Sequence, residues 1–271
     1  MAEVKHQKII VFLSLNGIDK NLILNGIRIA TIFKKVLCLC YNYSKKEKNK
    51  KEELKEKIAT YLPPIKNELP GLKISTLLLS ENSTFLPEKL ADDFEAILMI
   101  ADASKFHKYR KSVVESSVPF LFVNGKNETI SEFKKLILPI DLRKENHDSM
   151  LWSSYFGRFN SSGIIVVAAS DKGKEENRQV TVNVALCRKL FQKFKIEHKI
   201  FRGRKSSFNN SFEAHELALS SKSDLLVILG SSVITPFDLL IGLPEKKILK
   251  RAGNLPVLII NPRRDNYILC D

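Results

Sequence analysis

Lys8-Ile9-Ile10-Val11-Phe12-Leu13-Ser14-Leu15 decides the fold, because its plan returns as Lys135-Leu136-Ile137-Leu138-Pro139-Ile140-Asp141-Leu142, 127 residues later. Working outward, Val36 to Cys40 matches Ile164 to Ala168 as a second unbroken apolar run. Ala96-Ile97-Leu98-Met99-Ile100-Ala101 matches Leu225-Leu226-Val227-Ile228-Leu229-Gly230, and Val118 to Asn124 matches Leu255 to Asn261. Four strand-length segments recur in one order, the signature of a tandem duplication.

Short apolar runs bounded by polar turns predict strands buried on both faces, as parallel sheets require. Lys73 to Leu79 and Ile196 to Phe201 supply a third strand in each copy. Between the strands the period becomes helical. Val180, Val184, Cys187, Phe191 and Phe194 fall on one stripe of a helix over about 175–194, with Arg188, Lys189 and Lys193 off it. Helices are also predicted over about 146–159 and 236–251, with counterparts near 18–35 and 104–116. Leu54, Ile58 and Leu62 mark a lysine- and glutamate-rich helix that ends at Pro63-Pro64. Each half then alternates strand and helix five strands long, and right-handed crossovers turn that into a doubly wound α/β sheet. The predicted domains are 1–127 and 128–271. The turn-rich junction Asn124-Gly125-Lys126-Asn127-Glu128 is so short that the halves are expected to pack together.

The chain has 271 residues, 44% hydrophobic and 27% charged, which excludes a wholly disordered polymer. Its formal charge is +14, but 21 basic and 14 acidic residues precede position 128 and 23 and 16 follow. The excess is spread evenly, with no basic tail. No apolar run reaches the ~18–20 residues of a membrane span, and Ile9 to Leu15 is followed by no signal-peptide cleavage site. Cys38, Cys40, Cys187 and Cys270 form no C-x-x-C pair, so reduced thiols are expected, with neither zinc nor disulfides. A cytoplasmic protein is the expectation.

In an open α/β sheet, ligands bind beyond the carboxyl ends of the strands where strand order reverses. In the second half these ends are Asp141 and the run Gly230-Ser231-Ser232. Asp141 suits either a ligand's ring or ribose, or the N-terminus of the next helix. Gly230-Ser231-Ser232 suits either a phosphate or an ordinary strand-to-helix turn. His147-Asp148-Ser149 places three catalytic residue types in sequence, but a triad is an arrangement of separated residues. Adjacent helical positions are expected to point apart. Eight basic residues (188, 189, 193, 195, 199, 202, 204 and 205) lie in one short stretch against a single acid, Glu197, with Phe191, Phe194, Phe201 and Phe208 among them. Cations interleaved with aromatics suit nucleic acid. However, Phe191 and Phe194 lie on the core stripe and Phe201 ends a strand, so a solvated basic face is the preferred reading.

Phe133 to Asp141 resembles the opening strand of the universal stress protein family. Asp224 to Gly230, Leu239-Leu240-Ile241-Gly242, Glu245 to Ala252 and Leu255 to Ile260 resemble its closing half. The resemblance covers nearly all of 133–263 and extends more weakly over 7–124. It implies an adenine-nucleotide alpha-hydrolase-like fold, a Rossmann-like three-layer α/β/α arrangement with a five-stranded parallel sheet per domain. It also implies a pseudo-dimer in which the domains imitate the family's homodimer through their last strands, and it leaves a homodimer of the whole chain open.

Many members of that family bind ATP through G-x-x-G, nine residues, then G-[ST]. Gly230 matches the first glycine, but Val233 stands in the second position, Gly242 comes one residue early, and Leu243 replaces the Ser or Thr. Ser14 stands where Asp141 does, and the first half loses eight positions in the phosphate-loop region. Ile100 to Pro119 is 19 positions, where Leu229 to Pro256 is 27. The expectation is a stress-associated binding or interaction protein with an unnamed protein partner, non-catalytic, with no cofactor and weak or no ATP binding. One alternative is an ATP-binding switch or slow ATPase using Asp141, Gly230, Ser231, Ser232 and Gly242. Another is nucleic-acid binding through 188–205.

Overall fold

A computed structural model describes residues 6–231 and 243–261. The chain divides into two compact units, Met1–Ile130 and Ser131–Asn266. The first unit runs β1 (Lys8–Phe12), α1 (Asp19–Phe33), β2 (Val36–Asn42), α2 (Lys51–Ala59), α3 (Leu62–Glu68), β3 (Ile74–Leu79), α4 (Leu86–Phe94), β4 (Ala96–Asp102), α5 (Phe106–Glu115) and β5 (Phe120–Val123). Its strands pair in parallel in the order β3-β2-β1-β4-β5. The second unit runs β6 (Lys135–Ile140), α6 (Asn146–Asn160), β7 (Gly163–Ala168), α7 (Lys174–Lys193), β8 (His198–Arg202), α8 (Asn210–Ser220), β9 (Leu225–Leu229), α9 (Pro244–Arg251) and β10 (Val257–Ile260). Its order, β8-β7-β6-β9-β10, repeats the first. Two doubly wound parallel sheets result. In each, order reverses between the first and fourth strands.

The strands with neighbours on both sides carry the cores. All seven residues of β4 and all five of β9 are buried, consistent with helices covering both faces. Each fully buried Leu, Ile or Val contributes roughly 1.5–3 kcal/mol against exposure, an upper estimate for folding. The duplication is also written in the backbone. Lys34 and Ser161, which end α1 and α6, are both left-handed, and so are Glu95 and Lys222 just before the fourth strands. Each pair is 127 residues apart. A left-handed residue with a side chain costs roughly 1–2 kcal/mol, so the duplicated units keep the conformation because the turn geometry demands it.

Two expectations are corrected. The helix that should end at Pro63-Pro64 stops at Ala59, and the prolines instead open α3, whose first turn needs no N–H from them. Phe201 is not inside. It is 52% exposed on β8, the outer strand of its sheet, while Phe191 is fully buried and Phe194 lies under the Arg158 guanidinium, 4.4 Å from its ring centroid. The expected helix over 236–251 is described only as Pro244–Arg251, and its earlier part lies outside the described residues. Cys38, Cys40 and Cys187 are buried free thiols, and Cys270 lies outside the described residues. No described helix is long and apolar enough to cross a membrane.

Candidate functional site

The switch point of the second unit brings Asp141, Gly230 and Ser231 together at the carboxyl ends of β6 and β9. Ser232 and Gly242, with Val233, lie outside the described residues. The Asp141 side chain is 5% exposed, and its carboxylate is fully engaged by the chain itself. Oδ1 accepts the Arg143 backbone N–H at 2.8 Å and Asn146 Nδ2 at 2.9 Å. Oδ2 accepts Arg143 Nε at 2.9 Å and Nη2 at 2.7 Å. Four donors on two oxygens leave little acceptor capacity for a ligand. Asp141 does not cap α6 either, since Glu145 is the N-cap residue and makes no side-chain cap bond.

Arg143 then reaches across the switch point, where Nη1 donates to the Gly230 carbonyl at 3.1 Å. The backbone beneath is pinned by amides. Asn146 Nδ2 donates to the Arg143 carbonyl at 2.6 Å, and Asn183 Nδ2 donates to the Asp141 and Arg143 carbonyls, each at 2.9 Å. On the β9 side, the Ser231 backbone N–H donates to Glu245 Oε1. Glu245 is 2% exposed, in the first turn of α9 just after Pro244. A phosphate placed there would meet a carboxyl group already holding the amide that it needs. Gly230 has its own packing reason, because a Cβ would sit 3.0 Å from Ile259 Cγ2. What remains is a cleft of about 340 Å³ lined by Asp141, Arg143, Phe208, Phe212, Ser231 and Glu245 among others.

The first unit arranges the same region differently. A cleft of about 410 Å³ at its carboxyl edge is lined by Ser14, Asn16, Tyr41, Glu47, Lys105 and Lys108. The Ser14 N–H donates to Asp19 Oδ1 at 2.8 Å, and Tyr61 Oη donates to Oδ2 at 3.1 Å. Burial raises the Asp19 pKa against the opposing pull of those bonds, while burial and then the Asp19 charge push Tyr61 up to about 12. A carboxyl group with a raised folded pKa contributes most stability below its unfolded value, about 3.9, and loses that contribution as pH rises through the folded value. Urea midpoints of the parent and Asp19→Asn chains at several pH values should therefore shift in favour of Asp19→Asn between about pH 4 and neutrality.

At the His147-Asp148-Ser149 run, the two neighbours do meet, with His147 Nε2 2.9 Å from Asp148 Oδ1, contrary to the expectation that they point apart. Ser149 Oγ turns away and donates to the Asn146 carbonyl, so no nucleophile faces that pair. Among the described residues no cluster of three or more His, Cys, Asp or Glu side chains could hold a metal. Sequence reasoning missed Arg143 and Glu245. Their only signals were a basic residue two positions after the strand-ending acid and a Pro-Glu pair opening a helix.

No family model matches the sequence, and neither does any curated protein. Solved structures do match. A universal stress protein from Archaeoglobus fulgidus DSM 4304 superposes with a TM-score of 0.69 at 12% identity, over 94% of this chain and 98% of that one. A protein of unknown function from Pseudomonas aeruginosa PAO1 gives 0.61 at 15% identity, over 95% and 93%. A candidate universal stress protein from Pseudomonas aeruginosa UCBPP-PA14 gives 0.61 at 14%, over 94% and 93%. At these identities the likeness speaks to architecture, and it spans both units: the chain has the universal stress protein fold, built twice in tandem.

Proposed function

We propose that this chain is a non-catalytic, stress-associated binding protein in which the nucleotide position of the second unit is filled by the chain's own side chains. One observation carries the reading: Arg143 ties the Asp141 carboxylate to the Gly230 carbonyl, across the point where this fold opens to ligands. A nucleotide entering there would have to displace two charge-assisted bonds from Arg143 to Asp141 Oδ2, and such bonds are among the stronger polar contacts. Glu245 on the Ser231 N–H adds a buried carboxyl group where phosphate oxygens would gather.

The alternative of an ATP-binding switch or slow ATPase differs from this in one measurement. A site with a Kd of about 10 μM, given about 1 mM Mg-ATP, would stabilise the fold by about 2.7 kcal/mol, a rise in Tm of several degrees. The expected rise is under about 1 °C. A shift of several degrees that is lost in Asp141→Ala would establish the switch reading instead.

A further inference from the structure

We propose that β8 and the turn after it form a docking surface for single-stranded nucleic acid. The stretch Lys199 to Phe208 carries four exposed cations, Lys199, Arg202, Arg204 and Lys205, and two exposed aromatics. Phe201 is 52% and Phe208 79% exposed. Among the described residues none of the four head groups makes an ion pair. The nearby acid Glu213 is occupied by the turn, accepting the Arg204 backbone N–H at 2.7 Å and the Lys205 N–H at 2.9 Å.

The surface is built rather than merely loose. Gly203 N–H donates to the Ala168 carbonyl at 2.7 Å, and Ser170 N–H donates to the Lys205 carbonyl at 2.8 Å. Ser207 N–H donates to Asp171 Oδ1 at 3.0 Å. These bonds fix the backbone that presents the aromatics, so the ordering cost left to binding is that of the side chains. Beside Phe201 lies a groove of about 820 Å³ whose lining includes Ile165, Val167, Arg202, Arg204, Lys205 and Leu217, with Glu213 and Glu216 on the α8 side.

An outer strand often carries lysine simply to repel other strands. That accounts for Lys199 and Arg202 but not for two exposed phenylalanines beside them. An acidic peptide would use the cations and leave the rings idle. A second copy of this chain would bring a further +14 against the same face. Single-stranded nucleic acid uses both features, with phosphates on the cations and bases stacked on the rings. The inference extends the binding-protein reading to a named class of partner, and Phe201, which lies outside the second-unit cleft that Phe208 helps to line, tests it apart from ATP binding there.

The test is fluorescence anisotropy with a labelled single-stranded RNA of about 12 nucleotides, a length in the range such surfaces cover. Binding is expected at about 50 mM salt and should weaken steeply by about 200 mM. Phe201→Ala, at an exposed position outside the second-unit cleft, should weaken it at least roughly five-fold with circular dichroism unchanged. Lys199→Glu with Arg204→Glu should abolish it. Four results would overturn the proposal: no binding, an unchanged affinity in the phenylalanine variant, equal affinity for a duplex of the same length, or displacement of the RNA by polyglutamate of matched charge.

Discussion

A chain carrying Gly26→Val is expected to unfold at a clearly lower urea concentration than the parent, with a loss of about 3 kcal/mol. Gly26 lies in α1 where the helix meets its sheet. A Cβ built there comes 2.4 Å from Val11 Cγ2 and 3.0 Å from Leu37 Cδ1. Val11 cannot swing aside, because a β-branched side chain has few rotamers and this one is fully buried. Its strand cannot retreat either, since β1 is paired with β2 on one side and β4 on the other. Replacing a mid-helix glycine would gain only a few tenths of a kcal/mol in helix propensity, far less than the overlap costs. Gly17→Val is the control. A Cβ at Gly17 meets nothing within 4 Å, so its effect should stay within about 0.5 kcal/mol. Equal urea midpoints for the two variants would show that α1 does not approach the sheet this closely.

The sheet was legible because its strands are buried on both faces, and such strands stand out as unbroken apolar runs like Ala96 to Ala101. Strand order was less legible, and with it the fate of Phe201. A phenylalanine at a strand end reads as core until the strand is known to be the outermost, and the only local mark of that in His198 to Arg202 is the pair of cations Lys199 and Arg202. The Pro63-Pro64 error has a similar root. Proline ends one helix or begins another with equal comfort, and the choice rested on Ala59 to Tyr61 turning early. At the site, Asp141 and Gly230 could be placed by strand ends alone. Arg143 and Glu245 could not, because their partners lie far away in sequence or across a turn. A charged side chain says little about which group it will meet.

Removing the Asp141 carboxylate should destabilise the second unit by about 3 kcal/mol, because it takes the acceptor from the Arg143 backbone N–H and from the buried Asn146 Nδ2 as well as from the Arg143 guanidinium. Asp141→Ala leaves the Arg143 guanidinium without its strongest acceptor, although that side chain is 35% exposed and can turn toward water. Arg143→Ala is expected to lose about 2 kcal/mol, because the nearly buried carboxylate keeps only the Arg143 N–H and Asn146 Nδ2. If the two side chains act as one strut, the double variant should lose hardly more than Asp141→Ala alone, a coupling of about 2 kcal/mol in a double-mutant cycle. A ligand-binding Asp141 predicts the reverse. Groups held ready for a ligand are commonly neutral or costly to stability, so their removal would leave urea midpoints unchanged or raised. The cycle therefore asks the stability of the empty protein what Asp141 is for. A coupling near zero, with Asp141→Ala no less stable than the parent, would return Asp141 to the role of a ligand contact and remove the main support for a self-filled site.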